Sequence, residues 1–420
     1  MSRFGLPFVV CVQMPSGIVH EVASRNLPHV DTPLPNGWSA PSFALNDRQL
    51  ALLEETKRLA RDVLAPVAAR GVPGRVDREL LRVLGECGLL PRLFPERAGG
   101  TAFGDVSAFD LCLLREGLAQ GCIHAETALA MQGLGGYPIL QSGRPDVVAR
   151  WVPRIADGGA VAAFALTEPE HGSDAAAIET LAEPAGSGYR VSGEKAWISN
   201  APDADVYVVF ARTTPGTRAK GVTAFVVPGD APGLTGEPVE LVSPHAIGRL
   251  VLDAVHVPRG HVLGEVDAGF RVAMRTLDLF RPSVGAFAVG MAQAALDAAV
   301  EHAGSRRSFD RPLREHQAIS QRLGDMATGT EAARLLVYAA AARFDANPSD
   351  PRITRASAMA KLFATETAQA VVDDAIQIHG AVGLRRGHLL ETLYREVRAP
   401  RIYEGTSEIQ REIIARDLYR

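Results

Sequence analysis

YRVSGEKAWIS at residues 189–199 and DVYVVFART at residues 205–213 decide how the rest of the chain is read. Both are short, rich in β-branched and aromatic residues, and bounded by turn formers, which favours extended strands packed on a pleated surface. AVAAFAL (160–166), VTAFVVP (222–228) and RLVLDAVHVP (249–258) share that texture, and PAGSG, APDA and PGDAPG punctuate the series. This pattern predicts a compact antiparallel β domain over residues 158–265. Helical periodicity lies on either side of it. LNDRQLALLEETKRLARDVLAPVAAR (45–70) spaces its apolar residues three and four apart, with Asn46 or Asp47 as its cap, and opens a helical domain over 45–157. AGFRVAMRTLDLFRPSVGAFAVGMAQAALDAAVEHA (268–303) opens a second one over 266–420. Residues 1–44 carry Pro and Gly without a period and read as an irregular N-terminal extension. The fold class is mainly α with a middle β domain, with a crevice where the helical layers meet the sheet.

The 420 residues are 47% hydrophobic and 22% charged with a formal net charge of −4, so no basic footprint for nucleic acid is present. The four cysteines (Cys11, Cys87, Cys112 and Cys122) are scattered, which fits reduced thiols in a cytoplasm and offers no metal site. No apolar run reaches the roughly 20 residues of a membrane span, so no membrane partner is expected.

Five stretches carry chemistry. In LTEPEHGSD (166–174), leaving a strand, Gly172 admits close backbone approach while Thr167 and Ser173 offer donors; a capped turn is the bland alternative. In GEKAWISN (193–200), Trp197 can stack on a planar ring and Ser199 can bond its polar edge, although a lone strand Trp is usually core. RRSFDRPL (306–313), with Gln317 nearby, offers guanidinium forks suited to phosphate or simply a solvated helix end. QIHGAVG (377–383) has small residues for close approach. In RIYEGTSEIQR (401–411) an acid, Glu404, sits in a glycine-bearing loop before a helix start. A closed apolar crevice would raise its pKa into the range of a general base.

In their order and spacing these stretches resemble the acyl-CoA dehydrogenase family, from about residue 45 to the C-terminus. LTEPEHGSD and IYEGTSEIQR are the most specific, and PE–GG at 95–100 agrees. The resemblance implies an N-terminal helical domain, a β-barrel-like middle domain, a C-terminal four-helix bundle, FAD in the crevice, and a homotetramer. Thr167 and Ser199 would bind the flavin ring, Trp197 would pack on it, and Ser173 would meet the pyrophosphate. Arg306, Phe309, Gln317 and the loop of Gln377, Gly380 and Gly383 would reach the FAD of an adjacent subunit. Thr406 and Glu408 would complete the cofactor site, and Arg281, Tyr403 and Gly405 would meet the substrate, Arg281 at its CoA part.

The implied reaction is α,β-dehydrogenation of an acyl thioester on CoA or a carrier protein. Glu404 is its α-proton base, and an electron-transfer flavoprotein is the oxidant. Other branches place the base immediately before the arginine matched by Arg281; that position is Phe280 here, so the medium- and short-chain arrangement is indicated. Flavin-dependent monooxygenases and oxidases share the fold, and Glu404 weighs against them. Three departures stand out. His171 occupies a usually small position, as a surface side chain or a flavin-tuning one. Ala381 replaces a usual Gly. The segment 239–253 leaves its CoA contacts open. HAETALAMQ (124–132) carries no arginine of the glutaryl type, which argues against a dicarboxylate, and Glu126 within it reads as structural or surface.

Overall fold

A computed structural model describes residues 45–419; the extension at 1–44 lies outside the described residues. The first helix, α1 (Asp47–Leu59), starts at Asn46, whose side chain accepts from the Gln49 amide while Gln49 returns a bond to the Asn46 amide. This reciprocal box satisfies two donors that a helix start leaves open. A π turn, Ala60–Leu64, leads into α2 (Ala65–Ala68), followed by α3 (Arg78–Glu86), α4 (Ala108–Gly121), α5 (Ile123–Ser142) and α6 (Pro145–Ala156).

Eight strands then form one sheet: β1 (Ala162–Ala165), β2 (Leu181–Ala185), β3 (Gly188–Ser199), β4 (Val206–Arg212), β5 (Val222–Pro228), β6 (Leu234–Pro238), β7 (Ile247–Pro258) and β8 (Val262–Leu263). The order is β6-β7-β3-β2-β4-β5-β8, with β1 joined to β4. The expected antiparallel domain is corrected in one respect. β1 pairs β4 in parallel, with Ala162 opposite Val206, and β2 meets β4 in parallel at Leu181 and Arg212. The chain leaves β1, makes the β2–β3 hairpin, and returns in the same direction, a crossover that local alternation does not encode.

The last part comprises α7 (Gly269–Ser305), a short hairpin of β9 (Arg307–Ser308) and β10 (Arg311–Pro312), α8 (Gln317–Ala346), α9 (Ile353–His379), α10 (Leu389–Glu396) and α11 (Ser407–Asp417). By length and composition α7 is apolar enough to cross a bilayer, against the sequence expectation, but most of its apolar window is buried. It packs against α4, α8 and α9, and that central position accounts for its composition. Where α7 meets α4, a Cβ on Gly290 would lie 2.5 Å from the Glu116 carbonyl oxygen, so only glycine permits this approach.

Candidate active site

Glu404 lies between a 3-10 turn, Ala399–Arg401, and the start of α11, where the Thr406 hydroxyl caps the helix by accepting from the Ile409 amide at 3.3 Å. Its φ is +52° and that of Gly405 is +90°, two consecutive left-handed residues. For a non-glycine residue this backbone is strained and persists only when neighbours hold it. The neighbours here are three donors aimed at the loop carbonyls. Arg281 Nε donates to the Glu404 carbonyl at 3.3 Å, and Gln410 Nε2 donates to the Glu404 and Gly405 carbonyls at 3.2 and 2.9 Å. Lys361 Nζ donates to the Gly405 carbonyl at 2.6 Å.

The Glu404 side chain itself is treated differently. Its Oε2 is shut off from solvent and has no hydrogen-bond partner among the described residues. Burial pushes this carboxyl above the usual carboxylate range, and the charges of Arg115, Lys361 and Arg281 pull in the opposite direction. Burial also lowers Lys361 to about 8 and lifts the Tyr403 phenol well above its ordinary value. The result is a carboxyl of raised pKa with one buried oxygen left unpartnered, which is what a general base requires.

A second group joins the two strand-borne stretches. Glu168 and Lys195 form a buried ion pair at 2.8 Å; Glu168 also accepts from the amides of Glu179 and Thr180, and Lys195 reaches the Leu166 carbonyl at 3.1 Å. The Ala196 amide donates to the Thr167 carbonyl at 3.0 Å, so Thr167 and the 195–199 segment lie side by side. The β3–β7 ladder slips between Lys195 and Ile198. Trp197, inside that irregularity, has φ +59° and is 55% exposed, its ring turned off the core. Ser199 is half-buried and Ser173 exposed. His171 stands 3.5 Å from Glu179.

A third group sits at the shared end of α7 and α9, where the His302 and His379 rings stack at 4.2 Å, with Arg306 just past the end of α7. Arg306, Gln317 and Gln377 are exposed, Gly383 is buried, and Gly380 ends α9 with φ +63°. Phe309, at the hairpin tip, is 88% exposed. Glu408 is exposed on the first turn of α11.

Arg281, assigned to the CoA part of the substrate by the resemblance, is 5% exposed, stands 3.6 Å from Asp278, and donates through Nε to the Glu404 carbonyl. Of the two readings of Glu126, structural or surface, the structure gives the first: it is fully buried, and its partner is Arg115 of α4. A guanidinium therefore does stand beside α5, supplied by the neighbouring helix. Phe280 is buried against Tyr137 of α5, with ring centres 6.3 Å apart.

Sequence reasoning missed Glu168, Lys195, Lys361, Gln410 and Arg115. Lys361 was detectable in principle, because it falls on the buried stripe of α9 with Ser357, Ala358, Ala364 and Thr365. A lysine there needs a buried partner.

Comparisons with known proteins place the chain in a family. Residues 46–159, 163–255 and 267–419 match the N-terminal, middle and C-terminal domain models of acyl-CoA dehydrogenase. Cyclohexane-1-carbonyl-CoA dehydrogenase of Geobacter metallireducens is 37% identical over 380 residues, which is 90% of this chain and 98% of that protein. The butyryl-CoA dehydrogenase structure from Megasphaera elsdenii matches with TM-score 0.84 and 34% identity, over 90% of this chain and 99% of that one. The FAD complex of PigA matches with TM-score 0.84 and 28% identity, over 90% and 98%. With all three parts matched and a 37% identical relative spanning 90% of its length, the chain belongs to the acyl-CoA dehydrogenase family of oxidoreductases.

Proposed function

We propose that this chain converts an acyl-CoA thioester to its trans-2-enoyl thioester, with Glu404 removing the α-proton. The observation that carries the reading is the Glu404 carboxylate, buried and unpartnered at Oε2, on a left-handed backbone held by donors to the Glu404 and Gly405 carbonyls. An α-proton beside a thioester is weakly acidic, so its removal needs a base of raised pKa and donors where charge develops on the carbonyl oxygen. The Glu404 amide is one such donor, and Tyr403 and Gly405 flank the acyl chain.

Bound FAD would supply the electron acceptor for the β-hydrogen. The residues fit that group: Trp197 presents an exposed ring on the segment that carries Ser199 and is bonded to the Thr167 backbone, a surface a planar ring system would cover. Ser173 would meet its pyrophosphate, and Thr406 and Glu408 would close the site. The exposed Arg306, Phe309, Gln317, Gln377 and Gly380, with the buried Gly383 behind them, would serve the FAD of an adjacent subunit, which makes a homotetramer the working assembly. An electron-transfer flavoprotein would reoxidise the enzyme.

Anaerobic titration with butyryl-CoA, wild type against Glu404→Gln, tests the base. Flavin absorbance bleaches in the wild type and at least about 100-fold more slowly in the variant. Equal rates would remove Glu404 from the reaction.

A further inference from the structure

We propose that Lys195 is a positioning residue of the flavin site: held by Glu168, it fixes the turn carrying Thr167 against the β3 segment carrying Trp197 and Ser199. This inference rests on the FAD-binding part of the reading above and adds to it a side chain that is itself fully buried.

Both stretches lie where sheet pairing lapses. The β1–β4 ladder ends at Ala165, opposite Val209, so residues 166–168 have left the sheet. On β3 the register jumps from Lys195, opposite Leu250, to Ile198, opposite Gly248, which leaves Ala196 and Trp197 without a partner on β7. Three bonds join the two lapses. Lys195 Nζ donates to the Leu166 carbonyl at 3.1 Å and to Glu168 Oε1 at 2.8 Å, and between them the Ala196 amide donates to the Thr167 carbonyl at 3.0 Å. Three consecutive residues of the turn are thus bonded from two consecutive residues of β3, with Trp197 next in line at φ +59°. Glu168 carries the constraint further. Its carboxylate accepts from the Glu179 and Thr180 amides at 2.6 and 2.9 Å, which closes the loop bearing Ser173.

Packing alone does not call for an ion pair here. Burial draws the Lys195 ammonium down to about 8 against the pull of Glu168, and apolar residues of similar volume are often as stable as a buried pair. Apolar side chains fill space without fixing direction, whereas one ammonium bonded on both sides of Thr167 sets the spacing from that residue to Trp197. A ring system contacting both stretches gains most when that spacing is set beforehand, because ordering a site on binding costs affinity.

Lys195→Met/Glu168→Gln removes both charges, so neither is stranded. Arg334→Met/Glu116→Gln does the same to the Arg334–Glu116 pair between α8 and α4 and serves as control. Both holoenzymes and the wild type are diluted, and FAD release is followed by recovery of flavin fluorescence, beside visible circular dichroism of the bound flavin and denaturant unfolding. The Lys195 variant is expected to release FAD about tenfold faster or more, the equivalent of one charge-assisted hydrogen bond, with altered flavin dichroism. The control is expected to lose stability while keeping wild-type release and dichroism. Equal acceleration in both variants would make the pair merely structural and overturn the inference, as would wild-type release from a folded Lys195 variant. Should that variant not fold, Glu168→Gln alone carries the test: it sets a donor against the Glu179 amide and is expected to release FAD faster than wild type. An unchanged rate there would overturn the inference equally. FAD release is read without substrate, so a wild-type flavin that butyryl-CoA fails to bleach would sink the proposed reaction alone; a wild type isolated without FAD would sink both.

Discussion

Lys361→Met is expected to make the protein more stable and less active. Lys361 is completely buried, and its pKa falls from 10.5 to about 8. That difference corresponds to about 3 kcal/mol of preference against the charged form in the folded state. Between pH 8 and 10.5 the unfolded chain keeps this proton and the folded chain has lost it, so wild-type stability rises with pH across that window. At pH 7 the burial penalty is fully present. Methionine removes it and forfeits one charge-assisted hydrogen bond to the Gly405 carbonyl, a loss of about 1.5–2 kcal/mol when Gln410 still donates there. The balance is a gain of about 1 kcal/mol at pH 7, with the rise above pH 8 abolished.

Catalysis should move the other way. The Lys361 charge is one of three that hold the Glu404 carboxyl down. Without it the carboxyl climbs further and the acid limb of the pH–rate profile moves to higher pH. The rate at a fixed pH below that limb then falls about tenfold for each pH unit the limb has moved. Denaturant unfolding from pH 7 to 10 and single-turnover flavin reduction from pH 5 to 9 measure the two effects. A variant less stable than wild type at pH 7, or an acid limb that stays in place, would refute this account of Lys361.

Lys195→Met should do the opposite to stability, because it strands Glu168 at 4% exposure with only the Glu179 and Thr180 amides; a loss of about 3–5 kcal/mol by denaturant unfolding is expected, with weaker flavin retention. Gly405→Ala places a Cβ 2.6 Å from Gln410 Nε2 on a backbone at φ +90°. The strain, about 1–3 kcal/mol, should appear as a lower kcat with thermal unfolding little changed, since the loop rather than the core must yield.

Local chemistry was the legible part. The turn residues around β3 and β4, the Asn46 cap, and the Glu404–Gly405–Thr406 run all act within a few residues of themselves, so their roles could be read in one dimension. The parallel seating of β1 on β4 could not, because it joins segments more than 40 positions apart, Ala162 with Val206. The charged groups around Glu404 were hidden for the same reason. Arg115, Arg281 and Lys361 arrive on α4, α7 and α9, and only packing brings their charges to one carboxylate. Within the apolar run LCLLREGLAQG, Arg115 was itself the clue: a helix buried on every side exposes no charged face, so a charge there has to be bonded inside.

The distribution of donors around the base loop explains why this arrangement can work. Hydrogen bonds to the Glu404 carboxylate would lower its pKa and occupy the lone pair that takes the proton in the proposed reaction. Arg281, Lys361 and Gln410 instead bind the carbonyls of Glu404 and Gly405. They fix the left-handed turn without touching the reactive oxygens, while the cationic charges act on the carboxylate through space. Position and basicity are thereby set by the same groups through different atoms. Moving any one donor from carbonyl to carboxylate would keep the geometry but quench the base.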